Sequence, residues 1–199
     1  MILCCGEALI DFLPRQGRDG ATVYQPVNGG SVYNTAIALG RLDVPVALFA
    51  GVSTDFFGDS LRDGLAASKV NLKYLRLKPQ HTTLAFVKLV EGHARYSFID
   101  DASAGRNLVK ADLPKLPKTV AALHFGSISL IPEPEGGTYE ALLKDVDAGP
   151  GKTKTEAYED RAKDLFKKQP ANMQLLVVVD KLLTGFDAPH CTYLYIDKS

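Results

Sequence analysis

Apolar positions in the first half of the chain come in short runs, separated by breaks rich in glycine, proline and polar residues. Ile2–Leu9 is nearly unbroken and predicts a buried strand. Thr22–Val27 predicts a shorter strand that Pro26 confines to a sheet edge. After the break at Asn28-Gly29-Gly30, Val32, Ala36 and Leu39 fall on one helical stripe and predict a helix over Ser31–Leu42. Val46–Val52 predicts another buried strand, and Ser53-Thr54-Asp55 supplies N-cap chemistry for a helix running to about Ser68. Leu84–Val90 and Ala94–Ile99 alternate in polarity, and Glu91-Gly92-His93 between them predicts a hairpin turn. One face of that pair is half exposed, as in a flap over a site. Ala122–Leu130 predicts a buried strand, followed by a Pro/Gly-rich turn and a short helix, Thr138–Leu143.

Strand and helix alternate, which predicts an α/β fold with a mainly parallel sheet and a small antiparallel appendage. Ligands of such sheets sit beyond the carboxyl ends of the strands. Asp11, Gly29-Gly30 and Gly51 stand at or just after predicted strand ends, so they are expected to face one crevice.

The pattern changes near Lys144. Asp145–Thr155 is polar, contains Gly and Pro, and predicts a linker. Thr153 with Glu156 makes a capping box. Glu156–Lys168 predicts an amphipathic helix with Tyr158, Ala162, Leu165 and Phe166 inward. Leu175–Val179 and Cys191–Ile196 predict strands around the loop Leu182–Pro189. The expected organisation is therefore residues 1–144, a linker over 145–155, and a second part over 156–199.

Charge narrows the partners. Up to Lys144 there are 15 Lys+Arg against 14 Asp+Glu, and beyond it 8 against 9. Neither part has the basic excess of a free-standing nucleic-acid binder. No apolar run reaches the ~20 residues of a membrane span, and no basic segment precedes an apolar one at the N-terminus. A membrane partner is not expected, and the cytoplasm is the expected location. Cys4, Cys5 and Cys191 are the three cysteines. Their spacing fits neither a disulfide framework nor a zinc site, which leaves buried thiols in a reducing compartment. No metal site is predicted.

The candidate chemistry of the first part lies in Gly6-Glu7-Ala8-Leu9-Ile10-Asp11 and Gly29-Gly30-Ser31-Val32-Tyr33-Asn34. Glycines before a helix let backbone approach a ligand, a carboxylate accepts from paired hydroxyls, and Asn both donates and accepts. Such a set suits an uncharged polyhydroxylated ligand. Spacing alone fits an ordinary turn and helix equally well.

These stretches, with Leu39-Gly40-Arg41-Leu42, Gly51, Asp55, Phe57-Gly58, Thr82-Thr83-Leu84-Ala85-Phe86-Val87 and His124-Phe125-Gly126-Ser127, resemble the N-terminal half of ribokinase-like (PfkB) carbohydrate kinases, the bacterial fructokinases most of all. The resemblance implies an incomplete ribokinase-like sheet with a lid hairpin, ATP and Mg²⁺ as cofactors of the family, and a sugar partner. It implies sugar-hydroxyl contacts at Asp11, Gly29, Gly30 and Asn34. Val32 and Tyr33 depart from the small residues many members carry. The arginine that many fructokinases place just after the second lid strand is not at Asp100 or Asp101, and Arg106 is the candidate to stand in from a shifted loop. The Gly-Ala-Gly-Asp segment that gives the family its catalytic base and anion hole does not occur. No catalytic residue is therefore assigned, turnover by this chain alone is not expected, and its binding of ATP and Mg²⁺ is doubtful. Half of such a domain leaves a sheet edge and helix faces uncovered, so self-association is expected.

Gly149-Pro150-Gly151-Lys152-Thr153 falls short of a Walker A loop, because Val146 stands where the first glycine belongs and no strand precedes it. Leu175–Lys198, with Thr184-Gly185-Phe186-Asp187, resembles the second motor domain of the translocating subunit of type I restriction enzymes. That resemblance implies a short α/β fragment of RecA-like motor type. It implies nucleic-acid backbone contacts at Thr184 and Gly185 and a nucleotide-side position for Asp187. The motor's Walker motifs do not occur, so this part is expected to hydrolyse no ATP.

Overall fold

The computed structural model describes residues 1–90, 93–117, 119–126 and 128–143. The chain divides into two units, Met1–Leu142 and Leu143–Ser199, and the description below is of the first. The linker, the second-part helix and strands, and Thr184, Gly185 and Asp187 lie outside the described residues, as does the hairpin turn at 91–92.

Three parallel strands form the centre. β1 (Ile2–Cys5) pairs on one side with β4 (Val46–Phe49) and on the other with β9 (Ala122–Phe125). Period-two alternation along β1 sends its neighbours to opposite faces. Cys4 joins one cluster with Val32 and Ala36 of α1 (Ser31–Arg41) and Leu61 and Leu65 of α2 (Phe56–Ala67). Leu3 and Cys5 join another with Tyr139 and Leu142 of α3 (Glu135–Leu143). Helices thus cover both faces, which is why the strands read as continuous apolar runs. Burial pushes the Cys4 thiol up to about 12 and the Cys5 thiol higher still, so neither is a thiolate at neutral pH.

The second sheet has the order β3-β2-β7-β8. β2 (Leu9–Gln16) pairs antiparallel with β3 (Thr22–Gly29) and parallel with β7 (Leu84–Val90), and β7 pairs antiparallel with β8 (His93–Ile99). Its Phe12 ring stacks on Phe86 at 4.7 Å and meets Phe57 of α2 edge-on at 5.8 Å. A third, two-stranded sheet joins β5 (Gly51–Ser53) to β6 (Arg76–Lys78) in parallel. The whole is a mixed α/β architecture with mainly parallel pairing and an antiparallel hairpin, as expected.

Three expectations are corrected. The predicted strand Ile2–Leu9 ends at Cys5, because at Gly6 the chain passes close under the carbonyl of Gly126 and the Val32 side chain and then enters the other sheet as β2. Val46–Val52 is two strands in two sheets, divided at Ala50, whose carbonyl accepts from Arg76 N at 2.9 Å. Ala122–Leu130 is a strand only to Phe125, then a 3₁₀ turn at Ile128–Leu130. Nor is β9 buried: Ala122 is exposed and the rest half-buried, because among the described residues β9 pairs only with β1.

Candidate functional site

The crevice begins where β1 gives way to β2. Glu7 sits in that crossing and turns its buried carboxylate onto the start of α1. Its Oε1 accepts from Ser31 N at 2.8 Å, Ser31 Oγ at 2.9 Å and Val32 N at 3.4 Å. The residue at the N-cap position, Gly30, has no side chain to do this, so a carboxylate 24 residues earlier supplies the cap. Gly30 has φ 102°, a conformation that glycine adopts without strain, and a Cβ there would stand 2.8 Å from the carbonyl oxygen of Glu7. Burial alone would raise the Glu7 pKa, but hydrogen bonds from its own backbone, Ser31 and Ser129 outweigh it and hold the carboxyl below the usual range.

Asp11 lies on β2 opposite Val27 and Ala85. Its carboxylate rests directly against the Cα of Gly29, where any Cβ would overlap it. Half-buried, it has no hydrogen-bond or ion-pair partner among the described residues, and burial pushes its pKa up. Asn34 is exposed on α1, one turn beyond Gly30, to whose carbonyl its backbone N–H donates at 2.9 Å. The two departures next to it, Val32 and Tyr33, are both buried; Tyr33 Oη donates to Leu61 O at 3.1 Å and ties α1 to α2.

A cavity of about 360 Å³ adjoins this corner, lined among others by Glu7, Leu9, Thr83, Asp100, Arg106 and Glu135. Leu9 shares a face of β2 with Asp11 and also packs near Gly29. Asp11, Ala85 and Phe98 form one cross-strand row, and Phe98 lines the cavity too. Arg106 reaches the cavity from the loop after β8, where its Nε donates to Asp100 Oδ2 at 2.8 Å. The loop itself is fixed: Ala104 N donates to His81 O at 2.9 Å, and Thr83 Oγ1 to Ser103 Oγ at 2.8 Å. Asp11, Gly29, Gly30 and Asn34 are therefore grouped at the start of α1. Arg106 stands at the neighbouring cavity wall, already paired to a carboxylate.

At the starts of the described helices several N–H groups are already taken by the protein's own acceptors. The free N–H groups at a helix start are the usual phosphate cradle. On α1 they already serve Glu7, and on α2 Gly58 N donates to Asp55 Oδ1 at 2.8 Å. On α3, Gly136 N and Thr138 N donate to Pro132 O and Pro134 O. Among the described residues no group of three His, Cys, Asp or Glu side chains is arranged to hold a metal ion.

Comparison with known proteins identifies the scaffold. A fructokinase of Rhizobium leguminosarum bv. trifolii is 54% identical over 143 residues, covering 72% of this chain and 44% of that protein. The first part of the chain resembles the N-terminal half of ribokinase-like fructokinases. The solved fructokinase of Xylella fastidiosa with bound ATP superposes with a TM-score of 0.65 at 27% identity, covering 72% of this chain and 47% of that one. The Vibrio cholerae O395 fructokinase, solved with fructose, ADP and calcium ion, gives 0.63 at 28% identity, covering 73% and 46%. The chain thus spans less than half the length of these relatives. Residues 138–199 match the family model for domain 3 of the type I restriction enzyme subunit R, so the chain joins two unrelated likenesses. That match begins inside α3, a few residues before the expected join near Lys144.

Sequence reasoning did not single out Glu7, Thr83 or Glu135 for the site. Glu7 carried a usable signal, an acidic residue within an apolar run. Glu135 carried none, since its Pro/Gly-rich surroundings predict a turn and place the helix start at Thr138, whereas α3 already begins at Glu135.

Proposed function

We propose that the first part of this chain binds a small neutral sugar of fructose type at the start of α1. In this reading Asp11 accepts paired hydroxyls, and Gly29 and Gly30 leave the ligand room against the backbone. Asn34 donates and accepts from the helix, and Arg106 closes the cavity side. The observation that carries it is the Asp11 carboxylate, half-buried against Gly29 without a partner of its own. A half-buried carboxylate with no protein donor of its own is open to the hydroxyl donors of a ligand. The likeness to fructokinases, one of them solved with fructose, supports the choice of sugar.

We further propose that these 199 residues do not phosphorylate the sugar. Phosphoryl transfer depends on positioning two substrates and stabilising the transferred charge. The Gly-Ala-Gly-Asp segment is missing, and at the starts of α1 and α2 the protein's own carboxylates Glu7 and Asp55 already take N–H groups. The chain acts as a cytoplasmic sugar-binding module rather than a kinase. Calorimetry tests both statements. Fructose should bind, and Asp11→Ala should weaken it about tenfold or more, as loss of one charged hydrogen-bond partner implies. Unchanged affinity in that variant would move the ligand elsewhere. Fructose-dependent ADP release from ATP and Mg²⁺ would overturn the claim of inactivity.

The match over residues 138–199 favours a second reading for the last part, a detached piece of a DNA-translocating motor. Without Walker motifs and with balanced charge, it should show no DNA-stimulated ATP hydrolysis and only weak, salt-sensitive DNA binding. Sub-micromolar duplex binding at physiological salt, lost in Thr184→Ala, would make the motor reading the leading one.

A further inference from the structure

The cavity beside Asp11 holds one group that the sugar reading leaves unused. Glu135, the first residue of α3, is only 5% exposed and lines the cavity. Burial and neighbouring charges, with no side-chain hydrogen bond, set the state of its carboxyl. The residue is buried, but its carboxyl is not sealed in the core: it opens onto the cavity, where a ligand could reach it. Its surroundings sharpen the point. The carboxylates of Glu7 and Asp100 act on it, the phenol of Tyr139 lies within its field, and Arg106 is the cation that opposes them. The Nε of Arg106 is already committed to Asp100. Acidic groups in the cavity therefore outnumber basic ones.

We infer that Glu135 makes this cavity a subsite for the ammonium group of an amino sugar, which the pocket prefers over the neutral sugar and over anionic ones. The inference rests on the sugar-binding reading above. An ammonium carries three donors and the positive charge that the cavity lacks, and it converts an unpartnered carboxyl into a charge-assisted pair. A phosphate or carboxylate on the ligand would instead face Glu7, Asp100 and Glu135 together. A neutral sugar leaves Glu135 protonated and without an ionic partner. Burial, then the charge of Glu7, push the Glu135 carboxyl up to about 8, with Arg106 working against them and Asp100 with them. Its place in the first turn of α3 favours the ionised form, but the value of about 8 stands well above the ordinary carboxyl range. Binding of the amine then drives the Glu135 proton into the buffer, while neutral sugar binding does not. The cavity volume, about 360 Å³, is within the range for a small-molecule pocket.

Calorimetry on the full chain near neutral pH tests the inference with fructose, fructosamine and gluconate. Fructosamine should bind about tenfold or more tightly than fructose, and gluconate more weakly than either. The fructosamine heat should change with the ionisation enthalpy of the buffer, reporting proton release, and the fructose heat should not. In Glu135→Gln, which mimics the neutral acid, fructose affinity should persist while the fructosamine advantage falls to about twofold or less. Thermal melting checks that the variant folds, and the buffer dependence of the unaltered chain stands as an independent readout. Fructose binding without preference for the amine overturns the inference and leaves the sugar reading intact. Glu135-dependent fructosamine binding without fructose binding supports the inference and overturns the neutral-sugar reading. Loss of both, or an amine preference that survives Glu135→Gln, overturns the inference.

Discussion

Glu7 and Asp11 are four residues apart and meet opposite fates. Glu7 accepts three hydrogen bonds from Ser31 and Val32, and its pKa falls; Asp11 accepts none among the described residues, and its pKa rises. The difference separates a structural carboxylate from one available to a ligand. Glu7→Ala should destabilise the first part by about 2–4 kcal/mol, since it removes charge-assisted bonds and strands the α1 N–H groups. The pH dependence follows from the depressed pKa. A carboxyl held lower in the folded state contributes fully above the unfolded value of ~4.3 and loses that contribution as pH falls through the folded value. Urea midpoints measured from neutral to acid pH should therefore fall more steeply for the unaltered protein than for Glu7→Gln. Parallel slopes would show that Glu7 is not the cap. The chain's pattern pointed to Asp11, Gly29 and Asn34 as residues near predicted strand and helix ends, although Asp11 lies within β2 rather than at its end. It was silent on Glu135, because what makes that residue unusual is its neighbours Glu7, Asp100 and Arg106, all distant in sequence.

At the scale of elements, Pro14 of β2 and Pro26 of β3 both sit where no ladder donor is needed. Ile10 N donates to Thr83 O at 3.0 Å, so even-numbered residues of β2 point their N–H groups toward β7. The β7 ladder reaches only to Phe12, and Pro14 lies beyond it. Pro26 faces Phe12, and its absent N–H points away from β2, off the sheet edge. Period and turn chemistry thus located β3, α1, α2 and the hairpin. They failed where a continuous apolar run changes sheets at Gly6 and Ala50, because burial looks the same on either side of such a crossing. Asp55 is likewise more than the expected cap. It accepts from Gly58 N, Thr82 Oγ1 and Thr82 N at 2.7–2.8 Å, tying α2 to the segment that leads into β7. Asp55→Ala should cost about 1–3 kcal/mol and speed amide hydrogen exchange at both Gly58 and Thr82. Faster exchange at Gly58 alone would reduce Asp55 to a helix cap.

At the scale of the molecule, the fructokinase-like part presents edges and apolar side chains that its own described elements do not cover. β3 and β8 are the two edges of the four-stranded sheet. β3 exposes Val23 and Tyr24, and β8 exposes Tyr96, Phe98 and Ile99, with Tyr96 and Phe98 stacked at 6.0 Å. Leu130 and the 82%-exposed Ile131 add a second apolar ledge. Unpaired strand edges template pairing with another chain, and the usual protections are sparse on β8, where Arg95 is the one charged residue among His93–Ile99. Covering a large apolar side chain is worth roughly 1.5–3 kcal/mol, and the several exposed on these edges and the ledge together favour association of copies. Sedimentation velocity of the full chain at ~10 μM should therefore show dimers or larger species. Tyr96→Lys together with Val23→Lys should shift them toward monomer without lowering the melting temperature, because both side chains are exposed. A monomer at every concentration, unaffected by these substitutions, would show that these edges do not template association.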